Sequence, residues 1–241
     1  MSRFFLPPEA WQASMLEGAE ARHLAQVLRL RSGAFITVFD GCGRHAKAEV
    51  LSVARHRVAL QLGDPQTLPA PWPVITLAQA IPKGKIMDII VQKAVELGIA
   101  VIQPLVTRHT VVQPGEGKSA KWRRIALEAC KQCGQDTLPV IADPLSMDRW
   151  MATQSETLDL KLIASLAPGA RPLRQVLHAA PATRAVTLLI GPEGDFSSAE
   201  TGHALAVGFL PVSLGSIVLR VETATLFCLA ALRYEFSDPI H

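Results

Sequence analysis

The chain has 241 residues, 49% of them hydrophobic, with 24 Lys/Arg against 21 Asp/Glu for a net charge of +3. That length allows one large or two modest domains with proper cores, and its four cysteines specify no disulfide framework. No apolar run reaches membrane-span length, and the N-terminus lacks the basic, apolar, small-residue order of a secretion signal, so a cytoplasmic protein with no membrane partner is expected.

The charge is unevenly placed. Residues 1–63 hold eight Lys/Arg and five Asp/Glu, a surplus of three, whereas residues 64–241 hold sixteen of each. A mildly basic N-terminal part is compatible with a nucleic-acid-facing module. Its periodicity is mostly two. Phe35, Thr37 and Phe39 alternate with Ile36, Val38 and Asp40; Ala46, Ala48 and Val50 alternate with Lys47 and Glu49; Val58–Leu62 forms a further run. One helical segment, Ala19–Leu30, precedes them, with His23, Val27 and Leu30 on one face and Leu24 and Leu28 on the adjoining one. Short strands at this spacing predict a small β-barrel. Gly41-Cys42-Gly43-Arg44-His45-Ala46 matches the G-x-G-x-x-A of dinucleotide-binding folds, but that motif must open a helix, and period-two alternation follows instead. It is read as a hairpin turn.

Asp64–Pro73, with four prolines in ten residues, reads as a linker. The domains expected are 1–68 and 74–241, joined through 64–73. Beyond it, strands and helices alternate, which predicts a parallel α/β sheet. Val74–Ala80 is an apolar strand. The helix after Pro82-Lys83-Gly84-Lys85 places Ile86, Ile89, Ile90, Ala94 and Leu97 on one side and stops at Gly98. Ile99–Leu105 is the next strand. The loop Gly115–Ser119 ends in Gly-Lys-Ser, but the first glycine of a P-loop would fall on Val112, and no strand leads into it, so triphosphate binding is rejected. Lys118–Cys133 is a helix with Trp122, Ile125, Ala129 and Cys133 at helical spacing. Its Cys130-x-x-Cys133 has no second pair, since Cys42 and Cys228 stand alone, and reads as two semi-buried thiols with no metal site. Leu158–Leu166 is a strand, ending at Ala167-Pro168-Gly169, and Pro172–Ala179 is a short helix.

Leu188–Thr225 concentrates the chemistry. Ala185–Ile190 has the unbroken apolar run of a strand buried on both faces. Gly191-Pro192-Glu193-Gly194 follows, and Ser197-x-x-Glu200 is a capping box that should open a helix. Strand, glycine loop, helix is the order that puts a ligand at a strand's carboxyl end, although an ordinary turn has the same pattern. A second strand, Leu210–Leu214, ends in Gly215, after which Arg220 and Glu222 sit among apolar residues. Buried charges are paired or functional, so these two are either a structural ion pair tying down the last helix, on which Leu226, Leu229, Ala230 and Arg233 share related faces, or part of a site.

Gly191-Pro192-Glu193-Gly194 together with Ser213-Leu214-Gly215 and Leu219-Arg220-Val221-Glu222-Thr223-Ala224 resembles the SPOUT superfamily of RNA methyltransferases, and most of all the bacterial family that methylates uridine N3 in small-subunit (16S) ribosomal RNA. The resemblance spans nearly the whole chain. It takes in Arg3-Phe4-Phe5, Lys83-Gly84-Lys85 with Met87-Asp88, Lys93–Gly98 with Pro104, Trp122-Arg123, and Glu128-Ala129 with Gln132-Cys133. This chain departs from the family at Asp195, usually Gly, at Gln135, usually Arg, and at Ser216-Ile217, where a basic residue is common.

The resemblance implies a PUA-like RNA-binding β-barrel followed by a SPOUT α/β domain with a parallel sheet and a deep trefoil knot. It implies S-adenosyl-L-methionine as cofactor, a homodimer, and 16S rRNA, in the small ribosomal subunit and not DNA, as partner. Cofactor contacts are expected from Leu166; from Ile190, Gly191, Pro192, Glu193 and Gly194; and from Leu214, Gly215, Ile217, Leu219, Arg220, Thr223 and Ala224. Arg220 is expected to stabilise charge developing on the base, with Glu222 orienting it or serving as base. RNA contacts are assigned to Arg3, Arg22, Arg29, Lys83, Lys85, Lys93 and Arg108. The alternatives are a SPOUT enzyme acting on another base or a ribose 2′-hydroxyl, and a non-catalytic RNA-binding or ribosome-assembly protein.

Overall fold

The computed structural model describes residues 2–68, 72–111, 115, 117–154, 159–167 and 169–236. Val112, Leu158, Pro168 and the prolines at 69 and 71, all used in the sequence reading, lie outside the described residues. The chain divides into two compact units, one of residues 1–70 with 127–138, the other of 71–126 with 139–241. The first unit thus takes in a segment that a linear reading leaves in the second.

In the first unit, strands β1 (Arg3–Phe5), β2 (Met15–Glu17), β3 (Phe35–Phe39), β4 (Arg44–Val53) and β5 (Arg57–Leu62) pair in the order β1-β3-β4-β5-β2, and β6 (Gln66–Thr67) pairs with β4. The pairing is antiparallel except for β1 on β3. The predicted alternation is met on β4, where Ala46, Ala48 and Val50 are buried together with Ile36, Val38, Val58 and Phe4. β3 and β4 are joined through Gly41 and Gly43, both at positive φ, which makes the glycine pattern a hairpin turn.

Helix α1 (Gly18–Arg22) runs into a π-helical turn at His23–Val27, inside the predicted helical segment. The predicted face is corrected there. Ala21 and Leu24 are buried while Val27 is 69% exposed, because the wider turn breaks the 3.6-residue period on which His23, Val27 and Leu30 were aligned. The segment 127–138 is anchored by Lys131, which bonds Glu20 at 2.9 Å, and by Asp136, which takes Arg3 and, at 2.7 Å, His45 Nδ1.

The second unit holds strands β7 (Val74–Ala80), β8 (Val101–Val106), β9 (Val140–Ile141), β10 (Leu145–Ser146), β11 (Leu160–Ala164), β12 (Arg171–Pro172), β13 (Ala185–Ile190) and β14 (Leu210–Ser213). They form one parallel sheet in the order β10-β8-β7-β13-β11-β14-β12, with β9 also on β8. The last two long strands are each inserted between strands laid down earlier: β13 lies between β7 and β11, and β14 between β11 and β12. Helices α2 (Ile86–Glu96), α3 (Lys118–Cys133), α4 (Met147–Met151), α5 (Leu173–His178), α6 (Ser198–Ala206) and α7 (Val221–Phe236) complete the chain. Ala78, Ala80, Leu105, Ile163 and Leu189 turn to Met147, Trp150 and Met151 of α4 and Ala204 of α6. The sheet's other face meets α7, where Thr225 Oγ1 donates to Gln79 Oε1 at 2.7 Å. With helices on both faces, the strands read as unbroken apolar runs, and each fully buried Leu or Ile side chain stabilises the sheet by about 1.5–3 kcal/mol.

Three helix faces differ from expectation. On α2 the buried set is Met87, Ile90, Val91, Ala94 and Val95, while Ile89 is 48% exposed. On α3 Trp122, Ala126, Ala129 and Cys130 are buried and Cys133 is exposed, so only one of the two thiols sits in the interior. Burial pushes the Cys130 thiol up to about 12, which keeps it protonated and unreactive. On α7 the buried stripe is Val221, Thr225, Cys228, Leu229, Leu232 and Phe236. A period of 3.6 leaves neighbouring stripes nearly equivalent when both are apolar, and tertiary contact chooses between them.

The last helix is fastened at its far end. Arg233 Nε donates to the Leu97 carbonyl at 2.7 Å, Nη2 to that of Gly98, and Nη1 to those of Trp72 and Pro73. Gly98 fits this arrangement twice over: its φ is +75°, and a Cβ there would stand 2.8 Å from Arg233 Nη2. Arg233→Met would leave these carbonyls without their charged donor and is expected to lower stability by about 2–4 kcal/mol, read as a lower urea midpoint. An unchanged midpoint would show that the fastening is dispensable.

Candidate functional site

All strands of the second unit run the same way, so their carboxyl ends lie along one edge of the sheet. Register fixes which loops meet there. Ile190 pairs with Gln79, Ile163 with Leu189, Ala164 with Val212, and Ala80 with Leu105. Along the edge the loops therefore follow the order β8, β7, β13, β11, β14. The loops after β13, β11 and β14 are distant in sequence yet adjacent in space.

They enclose a cavity of about 480 Å³. Leu166 and Ser165 come from the β11 loop. Ile190, Gly191, Pro192, Glu193 and Asp195 come from the β13 loop. Leu214, Gly215, Ile217, Leu219 and Arg220 come from the β14 loop, and Glu222 and Ala224 from the start of α7. Two of the predicted residues stand elsewhere among the described residues: Gly194 lines a neighbouring cavity, and Thr223 is off the wall. Ile86, Ala164, Ser165, Asp195, Val218 and Val221 line it without having been expected as cofactor contacts. Ile86 enters because β7 neighbours β13, a pairing that local pattern does not encode.

The β13 loop has a built conformation. A Cβ on Gly191 would lie 3.1 Å from Asp195 Oδ1 and 3.2 Å from the Phe196 ring, so a larger side chain there must push the loop or enter the cavity. Asp195 occupies the left-handed region at φ +57°, and its Oδ1 accepts the Phe196 N–H at 2.8 Å. This accounts for the departure from Gly at that position, since Asp is among the few other residues that tolerate the region. Asp195→Gly is expected to change stability by less than about 0.5 kcal/mol, and Asp195→Val to cost about 1–2 kcal/mol by denaturant titration. Equal effects would contradict the backbone argument. The predicted capping box forms in full at Ser197 and Glu200 and starts α6.

Arg220 is exposed and Glu222 half-buried, and no ion pair joins them among the described residues. These two therefore do not fasten the last helix as an ion pair; Arg233 performs that task. The Arg220 carbonyl accepts the Ala224 N–H at 2.8 Å, which places the guanidinium at the opening of α7.

A second cavity, also about 480 Å³, adjoins the first and shares Glu193 with it. Lys83, Arg108, His109, Thr110, Val111 and Gly194 complete its wall. The Lys83 backbone N–H donates to Glu193 Oε1 at 2.9 Å, and that of Arg108 to Glu200 Oε1 at 2.8 Å, so carboxylates of the β13 loop and α6 hold the β7 and β8 loops. The other assigned basic residues are scattered. Lys85 and Arg29 are exposed, Arg22 bonds the Gly18 carbonyl, Lys93 pairs with Glu96 at 2.9 Å, and Arg3 is taken up by Asp136.

Residues 70–233 match the RNA methyltransferase domain family and residues 16–63 the RNA methyltransferase PUA domain. The chain is 33% identical to ribosomal RNA small subunit methyltransferase E of Synechocystis, over 90% of this chain and 71% of that one. Among solved structures, a Legionella pneumophila methyltransferase in complex with the bound cofactor SAM is 34% identical with a TM-score of 0.87, covering 99% of each chain. Ribosomal RNA small subunit methyltransferase E of Neisseria gonorrhoeae, bound to S-adenosyl methionine, is 32% identical with a TM-score of 0.88 over 98% of each. The loop-built cavity at the sheet edge and these matches along almost the full length agree: the chain belongs to the RNA methyltransferase family, in the group of the small-subunit ribosomal RNA methyltransferases E.

Proposed function

We propose that this protein methylates N3 of a uridine in 16S ribosomal RNA, using S-adenosyl-L-methionine bound in the cavity built by the β11, β13 and β14 loops. The observation that carries the reading is the convergence of these loops on one cavity with Arg220 on its wall. The residues fit the cofactor. The volume lies in the range of small-ligand sites, Leu166, Ile190, Leu214, Ile217 and Leu219 offer apolar walls for a purine ring, and the backbone at Gly191 and Gly215 can read its polar edge. When bound, S-adenosyl-L-methionine supplies an activated methyl group on a sulfonium.

The chain's own part is positioning and charge. Uridine N3 carries a proton and is a poor nucleophile until it leaves. The resulting negative charge spreads onto the flanking carbonyl oxygens, where the Arg220 guanidinium stabilises it, with Glu222 orienting Arg220 or taking the proton. The N3 edge is paired in a duplex, so the target base must be unpaired or flipped out. The N-terminal unit serves as the RNA-gripping module, with domains at 1–68 and 74–241. Ile217 and Val218 line the cavity yet are 76% and 71% exposed. This supports a homodimer in which a second copy covers them, around a C-terminal region threaded as a trefoil knot.

The test is calorimetric titration with S-adenosyl-L-methionine, followed by methyl transfer to small ribosomal subunits and nucleoside analysis. A Kd on the order of micromolar and 3-methyluridine in the product are expected. Cofactor binding with a different methylated nucleoside would replace the uridine assignment, and no cofactor binding by folded protein would favour a non-catalytic RNA-binding role.

A further inference from the structure

We propose that the second cavity seats the target nucleotide, with Lys83 and Arg108 gripping its phosphate beside the cofactor site. The inference rests on the methyltransferase reading above. Lys83, Arg108 and His109 line the cavity, and Glu193 is the single carboxylate among its described lining residues. Among the described residues, the side chains of Lys83 and Arg108 have no hydrogen-bond or ion-pair partner; what anchors these residues is their backbone N–H groups. Two cations held by their backbones, with free side chains over a cavity, form a site for an anion.

His109 adds a third group. Its Nδ1 lies 2.9 Å from the Asp195 carbonyl, which can only accept, so Nδ1 carries the proton and Nε2 is left for a ligand. Ribose hydroxyls and phosphate oxygens are the chemistry that suits such a wall.

Size and position choose the occupant. The first cavity is taken by the cofactor in the methyltransferase reading, and a separate chamber of equal volume has room for a nucleoside monophosphate. Glu193 belongs to both walls, so a nucleotide in the second chamber lies next to whatever fills the first. The second chamber forms because β7 separates β8 from β13, which brings the β8 loop within reach of the β13 loop.

The experiment is calorimetric titration of the full chain, saturated with S-adenosyl-L-homocysteine, with uridine 5′-monophosphate and with uridine. The monophosphate is expected to bind about tenfold or more tightly than the nucleoside, as charge-assisted hydrogen bonds are the stronger class. Lys83→Ala and Arg108→Ala should remove that preference, and Lys83→Arg should restore most of it, with cofactor affinity unchanged throughout. Equal affinities for the two ligands in the unaltered protein, or alanine variants that keep the preference, would overturn the assignment. So would loss of cofactor affinity in those variants, which would make the cations carboxylate ligands of the cofactor. Failure of the unaltered protein to bind S-adenosyl-L-homocysteine counts against the methyltransferase reading instead, and the preference for the monophosphate is then read without cofactor.

Discussion

Arg220→Ala is expected to lower kcat for methyl transfer by about 10²–10³-fold, the cost of removing a preorganised donor from developing charge, while cofactor affinity stays within about twofold. The guanidinium is exposed on the cavity wall and carries no ion pair among the described residues, so its removal empties no buried salt bridge. Arg220's structural duty is a backbone one, accepting the Ala224 N–H, and alanine retains it. Arg220→Lys keeps the charge without the planar fork and should recover only part of the rate. Single-turnover measurement with saturating cofactor separates the chemical step from binding. Near-normal turnover of Arg220→Ala would remove the residue from the mechanism, and a parallel loss of cofactor affinity would make it a binding residue.

Gly191→Trp is expected to weaken S-adenosyl-L-methionine binding by more than about a hundredfold, since an indole occupies volume that a small ligand needs. A Cβ at Gly191 already stands 3.1 Å from Asp195 Oδ1 and 3.2 Å from Phe196, the latter buried against the sheet, so the loop has little room to retreat. The side chain must then turn into the cavity. Calorimetry reads the affinity, and circular dichroism with the urea midpoint establishes that the sheet is intact. Unaltered affinity in a folded Gly191→Trp protein would place the cofactor outside this cavity.

These effects depend on features of unequal visibility in the sequence. Ala185–Ile190 and Val74–Ala80 were readable with correct bounds, because a strand covered on both faces leaves an unbroken apolar run. Ser197-x-x-Glu200 and Gly41-x-Gly43 were equally legible, since capping and hairpin turns are decided within a few residues. Helix faces were not. On α2 both Ile89 and Met87 satisfy the helical period, and only the packed sheet chooses Met87. Arg233 gave no local sign that it would hold four carbonyls from distant segments. For the candidate site, eleven of the thirteen predicted cofactor residues lie on the first cavity, because glycine loops at strand ends are local signals. Ile86 and the second cavity were hidden, because they follow from strand order, a property of pairing between residues far apart in the chain.

The insertion of β13 and β14 between earlier strands also bears on how the protein comes to be. While the chain is being synthesised, β7 and β11 can be made but have no common neighbour until residues 185–190 emerge, and the place between β11 and β12 stays open until 210–213 follow. The centre of the sheet is therefore completed only after residues 185–213 have emerged, through contacts of long sequence separation, which are the slow kind to form. Until then the facing edges of β7 and β11 lack their middle strand and are open to wrong partners. The loops that bound the cavity acquire their arrangement in the same late step, so in this chain completion of the fold and acquisition of the site are one event.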